Sequence, residues 1–172
     1  MKQNTLKPTS DFKIYRRNLP HIEVAGSFYF VTFRTALGVF LSDPAKDVVL
    51  QAVKFHDNNK YELHACAVME THVHIVLQPL SAQARTPVPQ ETQSSVYSLA
   101  QIMHSIKSYS SKRVKPILKV KEGVWVAETF DRIIRSDEDY DETMNYVIYN
   151  PVKAGLVGTT EEYRWVYVRD RN

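Results

Sequence analysis

Apolar residues recur with two different periods along this chain, and the changes of period mark its elements. Residues 26–35, GSFYFVTFRT, are apolar on both alternating faces, which suits a central strand. Ser42-Asp43-Pro44 then opens a helix. Val48, Ala52 and Phe55 follow at i, i+4 and i+7, Val49 and Val53 widen the stripe, and Asn58-Asn59 closes it. YELHACAVME (61–70) and HVHIVLQPL (72–80) read as two further strands. With little more than Thr71 between them they form a tight hairpin or one bent ribbon. A second helix is predicted over about 97–113, with Leu99, Ile102, Met103 and Ile106 on one stripe. GVWVAETF (123–130) and DRIIRS (131–136) read as short extended segments. A third helix runs from about Ser136 to Asn150 and stops at Pro151, which disfavours helix at the residue before it. Helices alternating with hairpin-linked strands predict an α+β fold, a ferredoxin-like antiparallel sheet with helices packed on it.

The chain has 172 residues, 44% of them hydrophobic, enough for one core and too apolar for a disordered chain. A single domain over 1–172 is expected. It carries a basic N-terminal arm, 1–25, and a flexible Pro-, Ser- and Gln-rich insertion, 80–96. One cysteine, Cys66, excludes a disulfide framework and a Cys-based zinc ribbon. No apolar run approaches the roughly 20 residues that cross a membrane. The first residues carry no apolar signal core. The expectation is a cytoplasmic protein without a membrane partner.

The net charge of +3 hides a segregation. Residues 104–121 hold Lys107, Lys112, Arg113, Lys115, Lys119 and Lys121 with no acid, whereas 137–142 read DEDYDE, just after Arg132 and Arg135. A basic stripe with Tyr109 inside it suits phosphate contacts and base stacking. A solvated helix face gives the same pattern. The acids favour the N-terminus of the third helix through its dipole.

Two local patterns carry chemistry. On a strand, His72 and His74 share one face with Val76, while Val73, Ile75 and Leu77 point the other way. Two imidazoles so placed can reach one metal ion, or be ordinary half-buried histidines; His64 on the preceding strand is either a neighbour or a surface residue. On the third helix the apolar stripe is Tyr140, Met144, Val147 and Ile148. Tyr146 lies roughly opposite that stripe, with Asn150 at i+4 on nearly the same face. Tyr146 either packs on another element or is a nucleophile. Asn150 either caps the helix or offers an amide oxygen to Mg²⁺ or Mn²⁺ beside imidazoles. Tyr109 is the rival nucleophile, although it continues the apolar stripe of its own helix and has Arg113 at i+4.

METHVHIV, VWVAETFDRIIRSDEDY and NYVIYNPVKAGLV together resemble the REP-associated tyrosine transposases, single-tyrosine HUH nucleases, over about residues 13–165. Glu70-Thr71 stands where that family has Pro followed by Asn or Glu, and Val126 where a Gln follows the Trp. The resemblance implies the HUH nuclease fold. It makes His72, His74 and Asn150 the ligands of one Mg²⁺ or Mn²⁺ ion and Tyr146 the nucleophile. The implied reaction is metal-dependent nicking and joining of single-stranded DNA beside a hairpin, through a 5′-phosphotyrosine. Arg16, Arg17, Lys107, Lys112, Arg113, Lys115, Arg132 and Arg135 are the candidate DNA contacts. Relatives act as monomers or homodimers. Two other classes compete: a non-catalytic binder of DNA or RNA hairpins that kept the fold, and a zinc hydrolase built on the histidine pair.

Overall fold

A computed structural model describes residues 13–16, 20–23, 26–80 and 97–170. Within the expected N-terminal arm, β1 (Lys13–Arg16) and β2 (Pro20–Glu23) pair as a short antiparallel hairpin. The expected insertion at 80–96 lies outside the described residues except for Leu80, whose N–H donates to the Lys60 carbonyl at 2.9 Å.

The remaining strands are β3 (Tyr29–Thr35), β4 (Tyr61–Val68), β5 (His72–Pro79), β6 (Trp125–Ile133) and β7 (Val166–Val168). They form one antiparallel sheet in the order β6-β3-β5-β4-β7. Helix α1 (Asp43–Lys54) links β3 to β4, and α2 (Leu99–Leu118) lies between β5 and β6 in the chain. This is the split β-α-β repeat of the ferredoxin-like fold, as the order of elements predicts. Helix α3 (Asp137–Lys153) follows β6.

Strand alternation sorts the two faces. Val31, Phe33, Val73, Ile75 and Leu77 join residues of α1 and α2 in the larger core. Phe30, Ala65, Ala67 and Val76 meet Met144 and Val147 of α3 in a smaller one on the opposite face. A register shift between Leu63 and Ala65 places His64 at an irregularity in β4. There the imidazole Nδ1 lies 2.8 Å from the Tyr140 hydroxyl of α3, well away from the other two histidines in the strand register.

Three boundaries differ from the sequence expectation. Helix α2 runs on to Leu118 through Pro116 and ends at Lys119, which takes a left-handed φ of 55°. Residues 125–133 are one strand rather than two segments, with a register shift against β3 between Phe33 and Thr35 absorbing the irregularity. Helix α3 also passes through its proline. Its stop signal is Gly155 at φ +70°, where Gly155 N–H donates to Val152 O and Leu156 N–H to Pro151 O. That pairing closes a helix with a left-handed glycine, so Pro151 and Asn150 sit in the last turns rather than beyond them. No helix of the described residues is long and apolar enough to cross a membrane.

Candidate functional site

The face of the sheet under α3 carries the candidate site. His72 and His74 lie on it from β5, and their rings stand 4.7 Å apart between centroids. Tyr146 comes down from α3 with its ring centroid 5.1 Å from that of His74. The Asn150 side chain lies near enough to the His72 imidazole to favour its charged form. The four residues that the resemblance singles out are therefore brought together by two elements far apart in the chain. Tyr146 is 42% exposed, whereas His74 is only 4% exposed.

β3 supplies a second row that sequence reasoning missed. Phe30, Thr32 and Arg34 alternate onto the same face and stand opposite Val76, His74 and His72 in the register. Phe30 stacks on His74 at 5.5 Å and meets the Tyr146 ring edge-on at 5.8 Å. The Thr32 hydroxyl lies 2.8 Å from His74 Nδ1, and Thr71 Oγ1 lies 3.2 Å from His72 Nδ1. Lys153, two turns beyond Tyr146 on α3, places its ammonium 5.7 Å from the Tyr146 ring centre. The one available signal was the alternation of polar Thr32 and Arg34 with apolar Val31 and Phe33.

Both imidazoles favour the neutral form. Burial, with His72 and Arg34 adding to it, pushes His74 down to about 3. Burial and then Arg34 also lower His72, an effect opposed by the nearby Asn150 side chain. With Nδ1 of His74 met by Thr32, its Nε2 is buried with no hydrogen-bond partner among the described residues. Leaving such an atom unsatisfied is costly, and a metal ion is one partner that would relieve it. Two neutral imidazoles and one amide oxygen fit a divalent cation with open positions. Among the described residues no three His, Cys, Asp or Glu side chains converge as a metal site, so Asn150 would have to complete the set.

The candidate DNA contacts divide. Arg17 and the side chain of Arg16 lie outside the described residues. Lys107 is not a free cation. Its ammonium donates to the carbonyls of Val126 and Ala127 at 2.7 and 2.9 Å, pinning the irregular stretch of β6 to α2. Lys112 and Arg113 are exposed and Lys115 is half-buried. All three belong to α2, which packs on the sheet face opposite α3, so this stripe does not border the histidine pair. Tyr109 goes with it: its ring is 4.7 Å from the Arg113 guanidinium and 6.2 Å from Phe55. It is 42% exposed, because the buried stripe of α2 continues through Ser110 and Val114 instead.

Arg132 is likewise engaged, donating to both carboxylate oxygens of Asp139 at 2.7 and 2.9 Å and to Thr143 Oγ1 at 2.6 Å. Arg135 is exposed. Burial opposes ionisation of Asp139. Hydrogen bonds from the Arg135 N–H, Arg132 and Thr143 outweigh that and hold the carboxyl below its usual range. A depressed folded pKa stabilises the protein above the unfolded carboxylate value near about 3.9, and the gain is lost as the pH falls through the lower folded value. Asp139→Asn is accordingly expected to lower the melting temperature at pH 7, with the gap to wild type closing below about pH 4. Thermal melts at pH 7 and pH 3 check this; a gap of constant size would mean that packing, not charge, joins β6 to α3.

No protein-family model matches the chain. A Haemophilus influenzae protein named "Putative REP-associated tyrosine transposase" is 21% identical over 160 residues, covering 89% of this chain and 82% of that protein. A solved structure of a REP-associated tyrosine transposase bound to a REP hairpin superposes with a TM-score of 0.61 at 19% identity, covering 88% of this chain and 80% of that one. At that identity the superposition speaks for the fold. In sequence and in fold, the chain resembles the REP-associated tyrosine transposases.

Proposed function

We propose that this protein is a metal-dependent enzyme that nicks and rejoins single-stranded DNA beside a hairpin, with Tyr146 as nucleophile. The observation that carries the reading is the meeting of Tyr146 and Asn150 with His72 and His74 beneath α3. The relative in sequence is named a transposase and the structural neighbour holds a REP hairpin, which supports a DNA-processing role and a hairpin partner.

His72, His74 and Asn150 would hold one Mg²⁺ or Mn²⁺ ion. Imidazole nitrogens suit Mn²⁺ better than Mg²⁺, which prefers oxygen ligands. When bound, the ion supplies a Lewis acid for the scissile phosphate and its developing charge. Thr32 fixes the His74 ring through Nδ1 and thereby aims Nε2 into the site. Phe30 packs against both His74 and Tyr146, which holds the nucleophile beside the imidazole. The Tyr146 oxygen forms a bond to phosphorus as the bond to the 3′ oxygen breaks. The phenol proton leaves to solvent, and the 3′ oxygen departs as a hydroxyl after taking up a proton. The 5′-phosphotyrosine keeps the ester for rejoining, so the cycle needs no nucleotide cofactor.

Labelled hairpin oligonucleotides from the DNA flanking the gene, run on a denaturing gel, test this. The expected result is a covalent protein–DNA band with Mn²⁺ or Mg²⁺ that chelation removes. Tight binding with no covalent product under any divalent ion would make the protein a hairpin binder instead. Stoichiometric zinc in the purified protein without DNA cleavage would favour a hydrolase.

A further inference from the structure

Arg34 sits at the end of the β3 row, directly opposite His72 in the register. Its side chain is exposed, and no ion pair engages it among the described residues. Arg132, whose guanidinium lies 5.5 Å from the Phe30 ring centre, is by contrast held by Asp139. Arg34 lines a cleft of about 430 Å³ with His74, Tyr146, Phe130 and Glu128.

A guanidinium with no ion pair among the described residues, sharing a cleft with Tyr146 and His74 and standing opposite His72, has the chemistry of a phosphate clamp. We propose that Arg34 binds the substrate at the Tyr146 site, donating to a charged non-bridging oxygen of the scissile phosphodiester. This rests on the phosphotyrosine reading above and adds the group that holds the phosphate for attack. The planar fork limits the rotation of the phosphate, which a point charge does not.

Two substrates separate the role from a structural one: a phosphodiester strand, and the same strand with a neutral methylphosphonate at the scissile position. On the phosphodiester, Arg34→Ala is expected to slow formation of the covalent band about 100-fold, in line with the loss of one donor to developing charge. Arg34→Lys recovers part of the rate, as does guanidinium ion added to the Ala variant. On the methylphosphonate, wild type and Arg34→Ala react alike, because the charged oxygen is absent. Melting temperatures of both variants stay at the wild-type value, since the side chain is exposed. An Arg34→Ala rate equal to wild type on the phosphodiester overturns the proposal. So does a loss that neither guanidinium nor the methyl group relieves. If the wild type forms no covalent product with the phosphodiester, the phosphotyrosine reading itself fails and the Arg34 role falls with it.

Discussion

Tyr146→Phe is expected to abolish the covalent protein–DNA product, a loss on the order of 10⁴-fold or more, while the protein stays folded and still binds its hairpin. The ring keeps its edge-on contact with Phe30, because only the hydroxyl is removed. A change at a side chain this exposed shifts stability by no more than about 0.5 kcal/mol. Tyr109→Phe serves as the contrast. Tyr109 belongs to the helix layer across the sheet, against Phe55 and Arg113, so its hydroxyl has no route to the histidine pair. A gel in which Tyr109→Phe alone lost the band would move the chemistry to that layer and overturn the site described here. The melting temperature and hairpin affinity of each variant, measured alongside, separate lost chemistry from lost structure.

Leu77→Ala carries the largest expected effect on stability. Leu77 lies on β5, the middle strand of the sheet, paired with Tyr29 on β3 and Leu63 on β4, and is fully buried. Truncation removes buried carbons and leaves a cavity that strands on both sides cannot collapse into, at a cost of about 3–4 kcal/mol. That is a large part of the roughly 5–15 kcal/mol by which domains are stable. Urea denaturation checks it through a lower midpoint with an unchanged slope. Leu77 points into the core opposite the histidine face, so nicking at low temperature should survive the substitution. A loss below about 1 kcal/mol would mean that β5 is far less tightly packed than its burial indicates.

What could be read from the sequence was what is local. A two-residue period puts His72 and His74 on one face, and a hundred degrees per residue takes Tyr146 off the packing stripe and sets Asn150 beside it. Both patterns need only their own element. Thr32 and Arg34 could not be found this way, because their link to the site is a cross-strand register set some forty positions away in the chain. The basic stripe on α2 shows a related limit. Its charges are real, but which sheet face a helix covers is decided by topology and not by its own composition. Lys107 and Arg132 illustrate the same limit, since a cation spent on carbonyls or a carboxylate reads like any other in sequence. Pro151 was a sound but incomplete stop signal, outweighed by the left-handed Gly155 four residues later.

The two alanines of β4 under α3 give the protein a throttle that lies outside its chemistry. Ala65 and Ala67 are fully buried against the helix that bears both Tyr146 and Asn150. The height of that helix above the sheet is therefore set by two of the smallest side chains available. A methyl group or two more at either position would lift Tyr146 and Asn150 together, as a rigid pair, while His72 and His74 stayed on the sheet. Drift at these silent-looking positions would detune the proposed reaction step by step, with Tyr146, Asn150, His72 and His74 all still in place.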